Sequence, residues 1–226
     1  MKITIVAATK LEIEYLLVHF RAKKTDIAGL HVTDDNAIHF LITGIGMMQT
    51  AAHLMWYANH YQRDFYFDIG VAGAFNRKIN LGEIFQVGSE TYGDFGVEND
   101  ENFEDFFEMG FLEANTSAFE YGLVKPIVHF VHSLIDLPKV TSITVNKVHG
   151  NEHTIAQILK KYKADIENME GLAFYYVMQL LQIPSIEIRS ISNYVERRNK
   201  ENWKLQEAIQ NLNSYMLILL DKVMLS

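Results

Sequence analysis

Phe65-Tyr66-Phe67-Asp68-Ile69-Gly70-Val71-Ala72-Gly73 is the stretch on which the fold turns. A largely apolar run from Phe65 closes on four small residues, which reads as a buried strand ending in a small-residue turn. Glycines at such a turn let backbone N–H groups approach a ligand, and an ordinary tight strand-to-loop turn needs them equally. The spacing is not that of a dinucleotide fingerprint. Upstream, Lys2–Ala8 reads as a strand, Lys10 to about Phe20 as a helix, and Ala37–Thr43 as a strand ended by Gly44-Ile45-Gly46. Met47–His60 then alternates at helical spacing. Downstream, Glu83–Glu90 and Thr141–Val145 read as strands, and His153–Tyr162 and Gly171–Leu181 as helices. Ile186–Ile191 is a buried strand before a long last helix over Asn199–Met224. Strands alternating with helices predict an α/β protein with a largely parallel sheet covered on both faces. No repeat or linker divides the chain, so residues 1–226 are expected to form one domain.

Composition narrows the function. Of 226 residues, 49% are hydrophobic and 21% charged, the profile of a soluble globular protein whose core needs no covalent staple. Cysteine is absent, which excludes disulfides, thiolate zinc sites and a cysteine nucleophile. The apolar run Ile3–Ala8 is too short for a signal peptide and Tyr215–Leu220 too short to span a bilayer, so no membrane association and cytoplasmic residence are expected. A formal net charge of −8 argues against a nucleic-acid partner. An anionic ligand would need arginine or histidine gathered locally against that mean field.

In parallel sheets ligands sit beyond the carboxyl ends of the strands. Glu12 follows the first strand; it is placed either to act as a general base or as a first-turn charge favoured by the helix dipole. In Glu167-Asn168-Met169-Glu170-Gly171, Glu170 opens an apolar helix, where a carboxylate can accept from two sugar hydroxyls or complement the helix terminus. Arg189 lies in a strand, where burial is costly without a carboxylate partner, and Asn193 at the strand end offers a donor and an acceptor in a fixed plane. His149-Gly150-Asn151-Glu152-His153 has histidines four apart, but Gly150 breaks the helix a metal motif would need. No metal and no cofactor are expected; Val148 and His149 are instead placed against the ligand. Phe103, Phe106, Phe107 and Phe111 recur near helical spacing and predict an amphipathic helix within Tyr92–Gly122, buried here or against a partner subunit, with a lid as the alternative.

In this order the segments resemble the nucleoside phosphorylase/nucleosidase superfamily along essentially the whole chain. Met1 to Glu12, Gly44-Ile45-Gly46, Gly70 to Gly73, Met169-Glu170 and Arg189 to Asn193 are similar to methylthioadenosine/adenosylhomocysteine nucleosidases. Tyr92-Gly93-Asp94-Phe95-Gly96, Glu167 to Gly171 and Ile191-Ser192-Asn193-Tyr194-Val195-Glu196-Arg197-Arg198-Asn199 look closer to the futalosine hydrolases of menaquinone biosynthesis. The resemblance implies a three-layer α/β/α fold with a central, mostly parallel mixed sheet. It implies a homodimer or higher homo-oligomer and a small nucleoside substrate whose N-glycosidic bond is hydrolysed. By the same resemblance Glu12 activates water, Glu170 and the Met169 backbone hold the ribose, and Arg189 holds the water or Glu12. Val71, Ala72 and Gly73 border the ligand, and Asn193 meets the purine. The methylthioadenosine enzymes usually carry aspartate where this chain has Asn193 and serine where it has Val71, which disfavours a phosphate site. An asparagine amide can donate to the O6 and N7 acceptors of hypoxanthine but cannot deliver a proton. The benzoate of futalosine calls for a cation, and Arg197 and Arg198 are candidates unless they are simply solvated.

Overall fold

The computed structural model describes residues 1–100 and 102–226. Its first half runs β1 (Ile3–Ala7), α1 (Lys10–His19), β2 (Lys23–Lys24), β3 (Leu30–Val32), β4 (Ile38–Ile42), α2 (Met47–His60), β5 (Phe65–Ala74) and β6 (Ile84–Tyr92). A hairpin of β7 (Gly96–Asn99) and β8 (Asn102–Asp105) follows, then β9 (Lys139–Thr144), α3 (Glu152–Lys161), β10 (Ile166–Asn168), α4 (Gly171–Leu181), β11 (Ser185–Tyr194) and α5 (Leu205–Leu225).

The period-2 alternation of strands sorts the core into two halves. Ile3, Ile5, Phe65, Phe67, Ile69, Ile186 and Ile188 pack with Ile13, Leu16 and Leu17 of α1 and with Leu212, Met216, Leu219, Leu220 and Val223 of α5. Val6, Tyr66, Ala72 and Ala74 point the other way, onto Leu54 and Tyr57 of α2 and Leu172, Phe174, Tyr175 and Val177 of α4. The result is the three-layer α/β/α arrangement. Each fully buried aliphatic side chain contributes roughly 1.5–3 kcal/mol, so both helical layers are held by area rather than by specific bonds.

Among the described residues the main sheet has nine strands in the order β10-β9-β6-β11-β5-β1-β4-β3-β2. The pairs β4–β1, β1–β5, β5–β11, β6–β9 and β9–β10 are parallel, whereas β6–β11, β3–β4 and β2–β3 are antiparallel. β10 also pairs antiparallel with β5, setting Ile166 against Ala74 and Glu167 against Gly73. That extra pairing closes β5, β11, β6, β9 and β10 into a ring. β1 lies between β4 and β5, so the chain leaves it in opposite directions, and the crevice beyond its carboxyl end is a switch point where ligands bind.

Three expectations are corrected. Residues 70–73 are not a turn: β5 continues through them to Ala74, because β11 pairs with all four and β10 joins on the other side at Gly73. Among the described residues the 92–122 segment holds no amphipathic helix. Gly110 takes a left-handed φ of 74°, Asp105 Oδ1 accepts from the Phe107 and Glu108 N–H groups in a tight turn, and β7–β8 form a hairpin. Its phenylalanines cluster face to edge instead, Phe95 with Phe106 at 4.6 Å and Phe107 with Phe119 at 5.2 Å between ring centroids. The last helix begins at Leu205 rather than Asn199, a short 3-10 turn at Lys200–Asn202 taking the intervening residues.

Candidate active site

Two helices bring carboxylates to one cavity from opposite layers. α1 starts at Thr9, whose backbone N–H and hydroxyl donate to Glu12 Oε2 at 2.9 and 2.8 Å, a capping box that fixes the Glu12 rotamer. The other oxygen, Oε1, accepts from the Val71 N–H at 3.3 Å. Both uses considered for Glu12 are therefore geometrically present in one side chain: it caps α1 and lines the cavity. Asn213 of α5 anchors that turn by donating to the Glu12 carbonyl at 2.8 Å. From the other layer, Glu170 is the N-cap residue of α4, and its Oε1 accepts from the Gly46 N–H at 2.9 Å. Gly46 supplies that N–H at a φ of 96°, a conformation that glycine adopts without strain.

The cavity encloses about 460 Å³, ordinary for a small-molecule site. Glu12, Val71, Ala72, Gly73, Met169, Glu170 and Asn193 all line it, as do Val148, His149 and Arg198. Arg197 does not: it lies on a separate surface depression beside Arg77 and Glu152. Arg198 sits at the rim, its guanidinium 5.6 Å from the Trp203 ring centroid, with Leu205 and Ile209 of α5 behind.

Arg189 stands behind the wall, buried in β11 opposite Gly70. Its Nε donates to Glu187 Oε1 at 2.7 Å and its Nη2 to Asp68 Oδ2. A Cβ on Gly70 would overlap Arg189 Nη1 and lie 2.8 Å from Glu12 Oε1, so the bare glycine is what lets the cation and the carboxylate approach the same point. Burial pushes the Glu170 carboxyl above its ordinary value, opposed by Arg189 and the Gly46 N–H and reinforced by Glu12.

Beneath α4 a fully buried polar cluster supports the site. Asn168 donates to Glu90 Oε1 at 2.5 Å, Ser142 Oγ at 2.9 Å and Glu187 Oε1 at 3.1 Å, and its own oxygen accepts the Glu170 and Gly171 N–H groups at 2.9 and 2.7 Å. The α4 terminus is thus tied to the carboxylates below it. Burial pushes Glu90 up to about 7 against hydrogen bonds from Ser142, Thr144 and Asn168, and pushes Glu187 up to about 8 with the neighbouring Glu90 charge adding to it. A side-chain hydrogen bond between Glu187 and Glu90 raises Glu187 further, and Arg189 opposes it.

At the other end of the cavity Asn193 follows an irregularity in β11, between Ile191 and Asn193. Its oxygen accepts from Ser192 Oγ at 2.8 Å and its nitrogen donates to the Tyr194 carbonyl at 3.0 Å. The amide is held in one orientation with a second N–H left over. Glu167 lines the same end and went unassigned in the sequence, although it belongs to a motif singled out there. It is buried, accepts the His149 N–H at 3.0 Å on Oε1, and meets His149 Nδ1 at 2.6 Å with Oε2.

Two carboxylates, an oriented amide and a glycine floor in one cavity are the parts needed to hold a sugar and a leaving base. A family model, Phosphorylase superfamily, matches residues 2–223. The chain belongs to that superfamily. A futalosine hydrolase of Thermus thermophilus is 27% identical over 181 residues, 76% of each chain. A 5′-methylthioadenosine/S-adenosylhomocysteine nucleosidase of Bacillus pumilus is 25% identical over 203 residues, 85% of this chain and 86% of that one. Among solved structures, the native futalosine hydrolase of Helicobacter pylori superposes with a TM-score of 0.82 over 98% of both chains at 16% identity, a likeness of fold. These superfamily members are nucleosidases, hydrolases of N-glycosidic bonds. No helix among the described residues is long and apolar enough to cross a membrane.

Proposed function

We propose that this N-glycosyl hydrolase acts on futalosine, releasing hypoxanthine. The observation that carries the reading is the convergence of Glu12 and Glu170, from opposite helical layers, on the cavity that also holds Asn193. Cleaving the C1′–N9 bond builds positive charge on the ribose and negative charge on the base, and a site accelerates the reaction by stabilising both. Glu12 takes a proton from the attacking water on the cationic side. Glu170, with the Met169 backbone, holds the ribose hydroxyls, and its N–H contact to Gly46 keeps it aimed. Arg189, behind Gly70, keeps Glu12 in place and balances the buried acids. Asn193 donates its free N–H to the O6/N7 edge, which in hypoxanthine presents two acceptors. Arg198, at the rim, pairs with the carboxylate of the 5′ substituent.

The test is a phosphate-free assay with futalosine, following free hypoxanthine. Release without phosphate supports hydrolysis, and a strict phosphate requirement refutes it. The relatives that act on methylthioadenosine give the second reading, in which adenine is the base released. Asn193→Asp should shift relative turnover toward adenine nucleosides; an unchanged ratio would take base selection away from Asn193.

A further inference from the structure

Asn193 leaves the chemistry one proton short. Its amide steadies the departing base but has none to give. A purine leaving as a free anion is a poor leaving group, and a positioned acid is worth about 10²–10⁴ in rate. The cavity holds a group that can fill this role.

β5 sets the arrangement. Gly73 pairs with Asn193 of β11 on one side and with Glu167 of β10 on the other. Neighbouring strands lie about 4.8 Å apart, so Asn193 and Glu167 flank a floor that has no side chain. A Cβ on Gly73 would lie 3.2 Å from Asn193 Nδ2 and 3.7 Å from Glu167 Cγ, so both side chains lean over the same glycine. Glu167 in turn grips His149 twice, at the backbone N–H and at Nδ1. A carboxylate on Nδ1 fixes the ring and leaves Nε2 as the nitrogen free to act on a ligand. The side chains are 7% and 4% exposed, so the pair is shielded from water. Among the described residues no hydrogen bond occupies the other ring nitrogen, Nε2. His149 also borders a second cavity of about 780 Å³, lined by Asp94, Glu98, Lys147, His153 and Lys161, which gives the ring a route to exchange protons with solvent.

We propose that His149, positioned by Glu167, is the catalytic acid that protonates the leaving purine, an inference that rests on the nucleosidase reading above. The C1′–N9 bond breaks, its electron pair goes to the purine, and His149 Nε2 passes its proton to N7. Water gives hydroxide to C1′ and its proton to Glu12. After release, Glu12 loses that proton to solvent and His149 regains one, so the cycle closes with one water consumed and no other reactant.

The experiment compares two leaving groups on the same sugar: hypoxanthine in futalosine, and 4-nitrophenolate in the corresponding 4-nitrophenyl riboside, which departs without protonation. His149→Asn should lower kcat for futalosine by about 10² or more and leave the nitrophenyl riboside nearly unaffected. Glu167→Gln should give the same selectivity with a smaller loss. A merely structural role would depress both substrates together. Equal losses, or hypoxanthine release undiminished in His149→Asn, overturn the acid while leaving the nucleosidase reading intact. A wild-type protein that frees no base from any purine nucleoside overturns both.

Discussion

Replacing Glu187 by glutamine tests the buried cluster beneath α4 quantitatively. In the folded protein Glu187 is pushed from an ordinary 4.5 up to about 8, by burial first and by Glu90 second. A raised carboxyl is one that folding prefers protonated. Below about pH 4.5 folded and unfolded states both hold the proton, and above about pH 8 neither does. Between these limits the folded state binds more protons, so stability falls as pH rises through the window. A displacement of this size corresponds to about 3–5 kcal/mol. Glutamine keeps the shape and can still accept from Arg189 Nε and Asn168 Nδ2, while Asp68 remains to pair with Arg189. The variant should therefore match the wild type near pH 5 and exceed it by a few kcal/mol near pH 9. Urea unfolding midpoints at several pH values measure this directly. Parallel wild-type and variant profiles would show that Glu187 is ionised in the folded state and that the account of the cluster is wrong.

Other outcomes are sharper in activity than in stability. Glu12→Gln should lower turnover by about 10²–10⁴ with little change in melting temperature, since glutamine can still accept from Thr9. Gly70→Ala should cost about 10² in kcat, because its methyl overlaps Arg189 Nη1 and crowds Glu12 Oε1; wild-type turnover in a folded variant would remove the link between these two groups. Arg198→Ala should raise KM for futalosine and Arg197→Ala should not, since only Arg198 reaches the cavity. Reversal of that order would place the 5′ carboxylate elsewhere.

The layers and the two acidic poles of the site were legible because their signals are local. Met47–His60 and Gly171–Leu181 carry helical periodicity strong enough to mark both boundaries correctly. Glu12 and Glu170 sit where strand ends meet helix starts, a place that is read without knowing any partner strand. What could not be read is non-local. Glu167 matters through its pairing with Gly73, and nothing near Ile166 in sequence announces an antiparallel neighbour ninety-odd residues away. Non-local pairing with β11 likewise keeps residues 70–73 extended where their composition suggested a turn. The phenylalanines of 92–122 imitate a helical stripe, but Gly110 and the Asp105 turn break any helix, and the rings find one another across a hairpin. Arg197 and Arg198 are neighbours in sequence on opposite sides of one loop, and only coordinates tell them apart.

β5 is bonded along its length to β11, over its first half to β1 and, at its far end, to β10. A strand stitched to three others cannot peel away without opening the whole molecule, so its amides should be the last to exchange with deuterated solvent. Binding and release must then work through the parts hung around it, the 44–46 and 194–203 loops above all. The base would rest on an anvil, and the motion belongs to the rim.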